Sequence, residues 1–216
     1  VYKRQTNAVN LIDGLDGLAG GMSVIVLVVI GSIAIIERRS DLLSIAFILA
    51  FGTLGFLVYN AHPASIFMGD CGSLFLGFMI SAISLLGFKS STILTLALPI
   101  LLLMLPIIDT LSAILRRTLK GMKFMEADKS HIHHLLMRQF GHRNTVIIMC
   151  GLTALFGLSA FAYMINRNIG FLVMVIILLA VEIFIEKSAM ISEKFHPLIG
   201  LWHRIQRKNR YRWPIK

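Results

Sequence analysis

The chain has 216 residues, of which 56% are hydrophobic and only 15% charged, and its mean hydropathy is +0.79. Soluble domains carry about 25% charged residues, so these values exclude an ordinary water-soluble fold. The formal net charge of +10 is read as membrane orientation and attraction for anionic lipids or phosphates, and without a basic–aromatic surface outside the apolar runs it does not argue for nucleic acid.

In chain order, the first distinctive stretch is Asn7-Ala8-Val9-Asn10-Leu11-Ile12-Asp13-Gly14-Leu15-Asp16-Gly17-Leu18. It sets two carboxylates and two amides where a long apolar run begins. Asp13 and Asp16 stand three residues apart, a spacing that puts them on one face of a helical turn. Carboxylates at a membrane entry are costly unless they meet a cation or a partner. The plain alternative is a helix cap, with Asn10 or Asp13 accepting from free backbone N–H groups.

Six apolar runs approach the spanning length of about 20 residues: Gly20–Ile36, Leu42–Asn60, Leu74–Phe88, Thr92–Leu115, Val146–Ile165 and Ile169–Ile185. The third is short and has room to begin nearer Ile66, with its Gly-rich loop dipping into protein-lined space. The expected fold is an all-α polytopic integral membrane protein of about six transmembrane helices, with cytoplasmic catalytic loops. Residues 1–186 form the transmembrane domain, and 187–216 form a basic tail whose Trp202, Tyr211 and Trp213 read as an interfacial anchor. No cleavable signal peptide, internal repeat or soluble domain is recognisable.

Positive charge sets the orientation. With the N-terminal motif inside, 17 of the 21 Lys and Arg residues fall on inner segments, and four (Arg38, Arg39, Lys89, Arg167) fall outside. Two further acidic stretches then share the cytoplasmic side with the first: Met68-Gly69-Asp70-Cys71-Gly72-Ser73 and Ala127-Asp128-Lys129-Ser130-His131-Ile132-His133-His134. The second has a plain reading as a turn before a helix, with Ser73 as its cap. The third, with Arg116, Arg117, Lys120 and Lys123 nearby, has a plain reading as a solvated positive-inside loop. Zinc at His131 and His134 would have helical i,i+3 spacing, but no third ligand has clear spacing, and the surrounding cations suit an anion better. Arg117 is the best phosphate clamp, because a guanidinium grips two oxygens at once. Cys71 and Cys150 lack metal-ligand spacing, and their expected places, one in a cytoplasmic loop and one at a membrane entry, argue against a disulfide.

Asn7–Leu18, the stretch Asn60-Ala61-His62-Pro63-Ala64-Ser65-Ile66-Phe67-Met68-Gly69-Asp70-Cys71-Gly72-Ser73, and Asp128–His134 together resemble the polyprenyl-phosphate N-acetylhexosamine-1-phosphate transferases. The three motifs occur in that family's order, and the resemblance covers nearly the whole chain. The His131-Ile132-His133-His134 form looks like the bacterial UDP-N-acetylglucosamine branch; the phospho-N-acetylmuramoyl-pentapeptide branch typically has three consecutive histidines. The family also carries an Asp-Asp pair on an earlier loop, which nothing before Val1 supplies. The chain is therefore expected to be the C-terminal part of a longer enzyme.

The resemblance implies transfer of N-acetylglucosamine 1-phosphate from UDP-N-acetylglucosamine to undecaprenyl phosphate in the bacterial inner membrane, with release of UMP. Its implied partners are a UDP-sugar, undecaprenyl phosphate and membrane lipid, with a homodimer left open. Attack of one anion on another needs a divalent cation and fixed positive groups. Mg²⁺, with Mn²⁺ as alternative, suits carboxylate oxygens, and Asp70 is the leading ligand. Asp13 and Asp16 have three open uses: binding metal, orienting Asn10, or accepting from uracil. The resemblance favours a catalytic or metal-linked role for Asp13 and nucleotide binding for Asp16, with Asn10 among the substrate contacts. It also makes Asn60 and Phe67 uridine contacts, the Phe67 ring offering a stacking face; the plain reading of Phe67 is lipid-facing or core. Gly69 and Gly72 let backbone N–H groups approach phosphate. His131 is a catalytic candidate, and Arg117, His133 and His134 are candidates for holding the diphosphate and sugar. The alternatives are phospho-N-acetylmuramoyl-pentapeptide transfer and a membrane transporter. Asp109 is an intramembrane acid for which pairing with Arg116 or Arg117 stands beside catalysis, and Glu182 and Glu186 share a helical face near a membrane exit, where pairing with Lys187 or contact with water is the plain reading.

Overall fold

The computed structural model describes residues 9, 10, 12–87 and 132–187. Within them the chain is all-helical: α1 Leu18–Ile36, α2 Ser40–Asn60, α3 Gly69–Gly87, α4 Ile132–Ile165 and α5 Arg167–Lys187. Three helices are long and apolar enough to cross a membrane: α1, α2 and the Leu136–Ile165 part of α4. The apolar stretches of α3 and α5, Gly69–Leu85 and Arg167–Val181, are shorter. The expected span Thr92–Leu115 lies outside the described residues, as do Asp109, Arg116, Arg117, Lys120, Lys123, Asp128, Lys129 and His131. So do the side chains of His133, His134, Glu182 and Glu186.

α1 is apolar on all sides, which suits a helix enclosed by others. It contacts α2, α3 and α4, while α4 also packs on α5. Leu27, Ile30 and Ile33 of α1 are wholly buried with Ala46 of α2 and Ile80 of α3. On another face, Leu18 and Met22 pack with Leu136, Met149 and Phe156 of α4 and Val181 of α5. α1 and α4 lie close enough that a Cβ at Gly157 would stand 2.6 Å from Val29 Cγ2, in keeping with small residues where membrane helices meet. Phe51 and Val58 of α2, Ile147 and Leu158 of α4, and Phe171 of α5 are exposed, as side chains facing lipid are.

Several buried hydroxyls bond back into their own helices. Ser81, Ser84, Thr145 and Thr153 each donate to the carbonyl four residues earlier, at 2.6–2.9 Å. Such a bond satisfies a polar side chain where lipid offers no partner.

The helix borders differ from expectation in two places. α3 begins at Gly69, so the Gly-Asp-Cys-Gly-Ser stretch is the first turn of the helix and not a turn ahead of it. Ser73 is buried and donates to Gly69 O at 2.9 Å, which is not a cap. α4 runs polar and apolar sequence together across a break at Gly141, whose φ of 77° only glycine adopts readily.

Candidate active site

The N-terminus of α1, the C-terminus of α2, the α2–α3 connection and the Gly141 break of α4 meet at one end of the bundle. Gly17 starts this arrangement. Its φ of 78° turns the chain into α1, and its N–H donates to Asn60 Oδ1 at 3.1 Å. No side chain caps α1, so neither Asn10 nor Asp13 plays the part of a cap there. Asn60 Nδ2 in turn donates to Ile66 O at 2.9 Å. Tyr59 O accepts from the Ser65 and Ile66 N–H groups at 2.8 and 3.2 Å. The buried Asn60 amide thus joins the first acidic turn to the loop that presents Phe67 and Met68.

Asp13 and Asp16 do not share a helical face. Residues 13–17 form turns rather than helix, and the two carboxylates go to different partners. Asp13 is partly buried, and burial followed by repulsion from Asp70 raises its pKa above the ordinary carboxylate value. Two carboxylates from separate motifs are therefore held near one another, across the start of α1 and the start of α3. Asp16 Oδ2 lies 3.0 Å from His62 Nδ1 and accepts from Ala64 N–H at 3.2 Å. The His62 hydrogen bond, aided by Ala64 N–H and the nearby imidazoles, holds the Asp16 carboxyl below its usual range.

His142, next to the Gly141 break, completes this second cluster. Its Nε2 stands 3.2 Å from Asp16 O, and its ring stacks on His62 with centroids 4.1 Å apart and planes at 22°. Sequence patterning singles out neither histidine: His62 lies inside the stretch Asn60–Ser73 without a second ligand at close spacing, and His142 follows the stronger His131–His134 pattern. The available signal was that both flank a glycine or proline at a helix border.

Phe67 is 74% exposed, so it is not a core residue and its ring faces remain open. A Cβ at Gly69 would point into open space, at a φ of 61°. A Cβ at Gly72 would meet Met68 Cγ at 2.6 Å, so Gly72 serves the packing of that loop. An apolar groove of about 330 Å³ between α2 and α3, lined by Leu49, Thr53, Phe56, Met68, Gly72 and Leu76, opens beside this turn.

The Asp13–Asp70 pair suits a divalent cation. Its oxygen donors match Mg²⁺, and a cation beside them would offset both the burial and the lesser repulsion from Asp70 that raise the Asp13 pKa. Asn10 is half-buried on the turn before Asp13, and its carbonyl accepts from Asp13 N–H at 3.2 Å.

Residues 3–88 match the model of glycosyl transferase family 4. Over 208 residues the chain is 43% identical to a probable undecaprenyl-phosphate N-acetylglucosaminyl 1-phosphate transferase of Bacillus subtilis (strain 168), covering 94% of this chain and 58% of that protein. It is 38% identical over 165 residues to a decaprenyl-phosphate N-acetylglucosaminephosphotransferase of Mycolicibacterium smegmatis, covering 66% and 40%. A phospho-N-acetylmuramoyl-pentapeptide-transferase of Moorella thermoacetica is 40% identical over 157 residues, covering 71% and 47%. The chain spans about half the length of these relatives. With its acidic turns gathered at one end of an apolar bundle, the chain belongs to the polyprenyl-phosphate hexosamine-1-phosphate transferase family.

Proposed function

We propose that the protein containing this chain moves N-acetylglucosamine 1-phosphate from UDP-N-acetylglucosamine to undecaprenyl phosphate. In this reading, an oxygen of the lipid phosphate bonds to the phosphorus that carries the sugar. The bond from that phosphorus to the bridging oxygen breaks, and its electron pair leaves with UMP. The observation that carries the proposal is the gathering of the first acidic turn, the α2–α3 connection and the Gly141 break at one end of an apolar bundle, tied by the Gly17–Asn60, Asp16–His62 and Asp16–His142 contacts.

Asp13 and Asp70 would hold Mg²⁺ or Mn²⁺, which when bound supplies charge neutralisation for two approaching phosphates. Asp16 would accept from the uracil ring through Oδ1, its Oδ2 being engaged by His62 and Ala64, and Phe67 would stack on the ring. Asn60 spends its amide on Gly17 and Ile66, so its share in nucleotide binding is assigned to holding the Phe67 loop in place. Gly69 leaves room for a phosphate oxygen near the backbone, and the α2–α3 groove offers an apolar surface beside Asp70 for part of a lipid chain. Arg117, His131, His133 and His134 are proposed to grip the diphosphate and sugar from the histidine segment, and Asn10 to support the first turn.

The proposed setting is the bacterial inner membrane, with about six spans in this chain and the acidic end facing the cytoplasm, where nucleotide sugars are made. Phospho-N-acetylmuramoyl-pentapeptide transfer is the second reading, favoured by the name of the Moorella relative. The His-x-His-His spacing favours the first. Incubating membranes that hold the full-length protein with each labelled UDP-sugar and undecaprenyl phosphate separates them. Labelled lipid and UMP should form in equal amounts from UDP-N-acetylglucosamine; formation from the muramoyl-pentapeptide donor alone would overturn the assignment.

A further inference from the structure

Asp16, His62 and His142 bring one carboxylate oxygen and two imidazole nitrogens within 4.8 Å of one another. They come from three separate places: the first acidic turn, the α2–α3 connection and the Gly141 break of α4. We propose that these three side chains form a binding site for a zinc-class divalent cation, separate from the oxygen-only pair Asp13 and Asp70.

The donor set argues for the class of ion. Two imidazoles and one carboxylate suit borderline metals such as Zn²⁺, whereas Mg²⁺ prefers oxygen ligands. Three protein ligands with the fourth position open is a common zinc arrangement. Ligand atoms stand about 2.0–2.2 Å from zinc, which places them roughly 3–4 Å from each other. His62 Nδ1 and Asp16 Oδ2 already have that separation, at 3.0 Å. Bringing in the remaining ligand requires a contraction of about 1 Å, and the two imidazoles, now stacked with planes at 22°, must also tilt apart so that their in-plane lone pairs converge on one ion.

The groups concerned have room for both movements. The His62 side chain is half exposed, so its ring turns without repacking a core. His142 follows Gly141, whose positive φ already breaks the helix. Binding replaces the proton that His62 Nδ1 shares with the carboxylate, and it exchanges the His142 contact with Asp16 O for a metal bond. The occupied site would tie together residues separated by 46 and 126 positions in the chain.

The test is zinc stoichiometry on the full-length protein, purified without a polyhistidine tag and titrated against a chromophoric chelator. Wild type should take up one equivalent that excess Mg²⁺ does not displace. His62→Asn and His142→Gln should each weaken that equivalent by at least about tenfold, the lower range for disturbing a metal site's supporting groups. The double variant His133→Asn/His134→Asn should retain it. His62→Cys restores a ligand atom and should recover binding, which separates ligand loss from misfolding. Absence of a tight equivalent in wild type, or its loss only when His133 and His134 are replaced, would overturn the proposal and leave a hydrogen-bonded histidine pair.

Discussion

The two ends of this bundle are built differently. At one end the connections are short and their bonds local. Glu37–Arg39 link α1 to α2, with Arg39 N–H reaching back to Ala34 O and Arg39 pairing with Asp41 at 3.1 Å. Asn166 alone separates α4 from α5, and its Oδ1 accepts from the N–H groups two and three residues on. At the other end the bonds join residues 43, 46, 48 and 126 positions apart. Local bonds close a turn at little entropic cost, whereas distant partners must each be held by packing already in place. The long-range end therefore fixes side chains from several motifs relative to one another, as a multi-residue site requires.

That contrast predicts unequal sensitivity to similar substitutions. The largest effect is expected at the acidic pair. Asp70→Asn keeps the size and removes the charge, and sugar-phosphate transfer should fall at least about a hundredfold, the scale of losing a placed electrostatic group. Asp41→Asn, at the local end, should leave the transfer rate unchanged in the same membranes. Equal losses in both variants would erase the distinction between the ends.

Asn60→Ala comes next. It strips the acceptor from Gly17 N–H in buried surroundings and the donor from the partly buried Ile66 O. Unsatisfied buried groups cost about 1–3 kcal/mol, so thermal unfolding in detergent should shift down and UDP binding should weaken with it. Arg39→Ala, which breaks an exposed ion pair, should leave the unfolding temperature nearly unchanged. A larger loss for Arg39→Ala would place the stabilising polar contacts at the wrong end.

Phe67→Ala gives a narrower effect. Because the ring is exposed, the melting temperature should not change. Loss of a stacking face is worth about 1–3 kcal/mol per base, and UDP affinity should drop by that amount while lipid-phosphate affinity holds. Equal weakening of both ligands would assign the ring to packing.

Much of this was legible in the sequence because apolar runs and acidic motifs are strong signals. The runs Gly20–Ile36 and Leu42–Asn60 anticipated α1 and α2 to within two residues, whereas Val146–Ile165 matched the end of α4 and missed the start of its long apolar part at Leu136, because Arg138, His142 and Arg143 make that stretch polar. Leu74–Phe88 missed the start of α3, because Gly69, Asp70 and Ser73 are polar or small and look like a turn, although their backbone is helical. Spacing misled at Asp13 and Asp16: three residues imply one face only within a helix, and Gly14 and Gly17 break it. Asn60 stood out by motif, but its part as the clasp between two segments depends on a bond 43 residues long, which no local pattern encodes. His62 and His142 converge through a bond of the same kind, so only the folded chain brings them together.

A double-substitution cycle with Asp13→Asn and Asp70→Asn, read as labelled sugar-phosphate transfer to undecaprenyl phosphate, tests the shared site most directly. If the two carboxylates act on one cation, either single change removes most of what the pair contributes. The double variant should then be about as slow as the slower single one. Independent effects that multiply in the double variant would contradict a joint site at this end of the bundle.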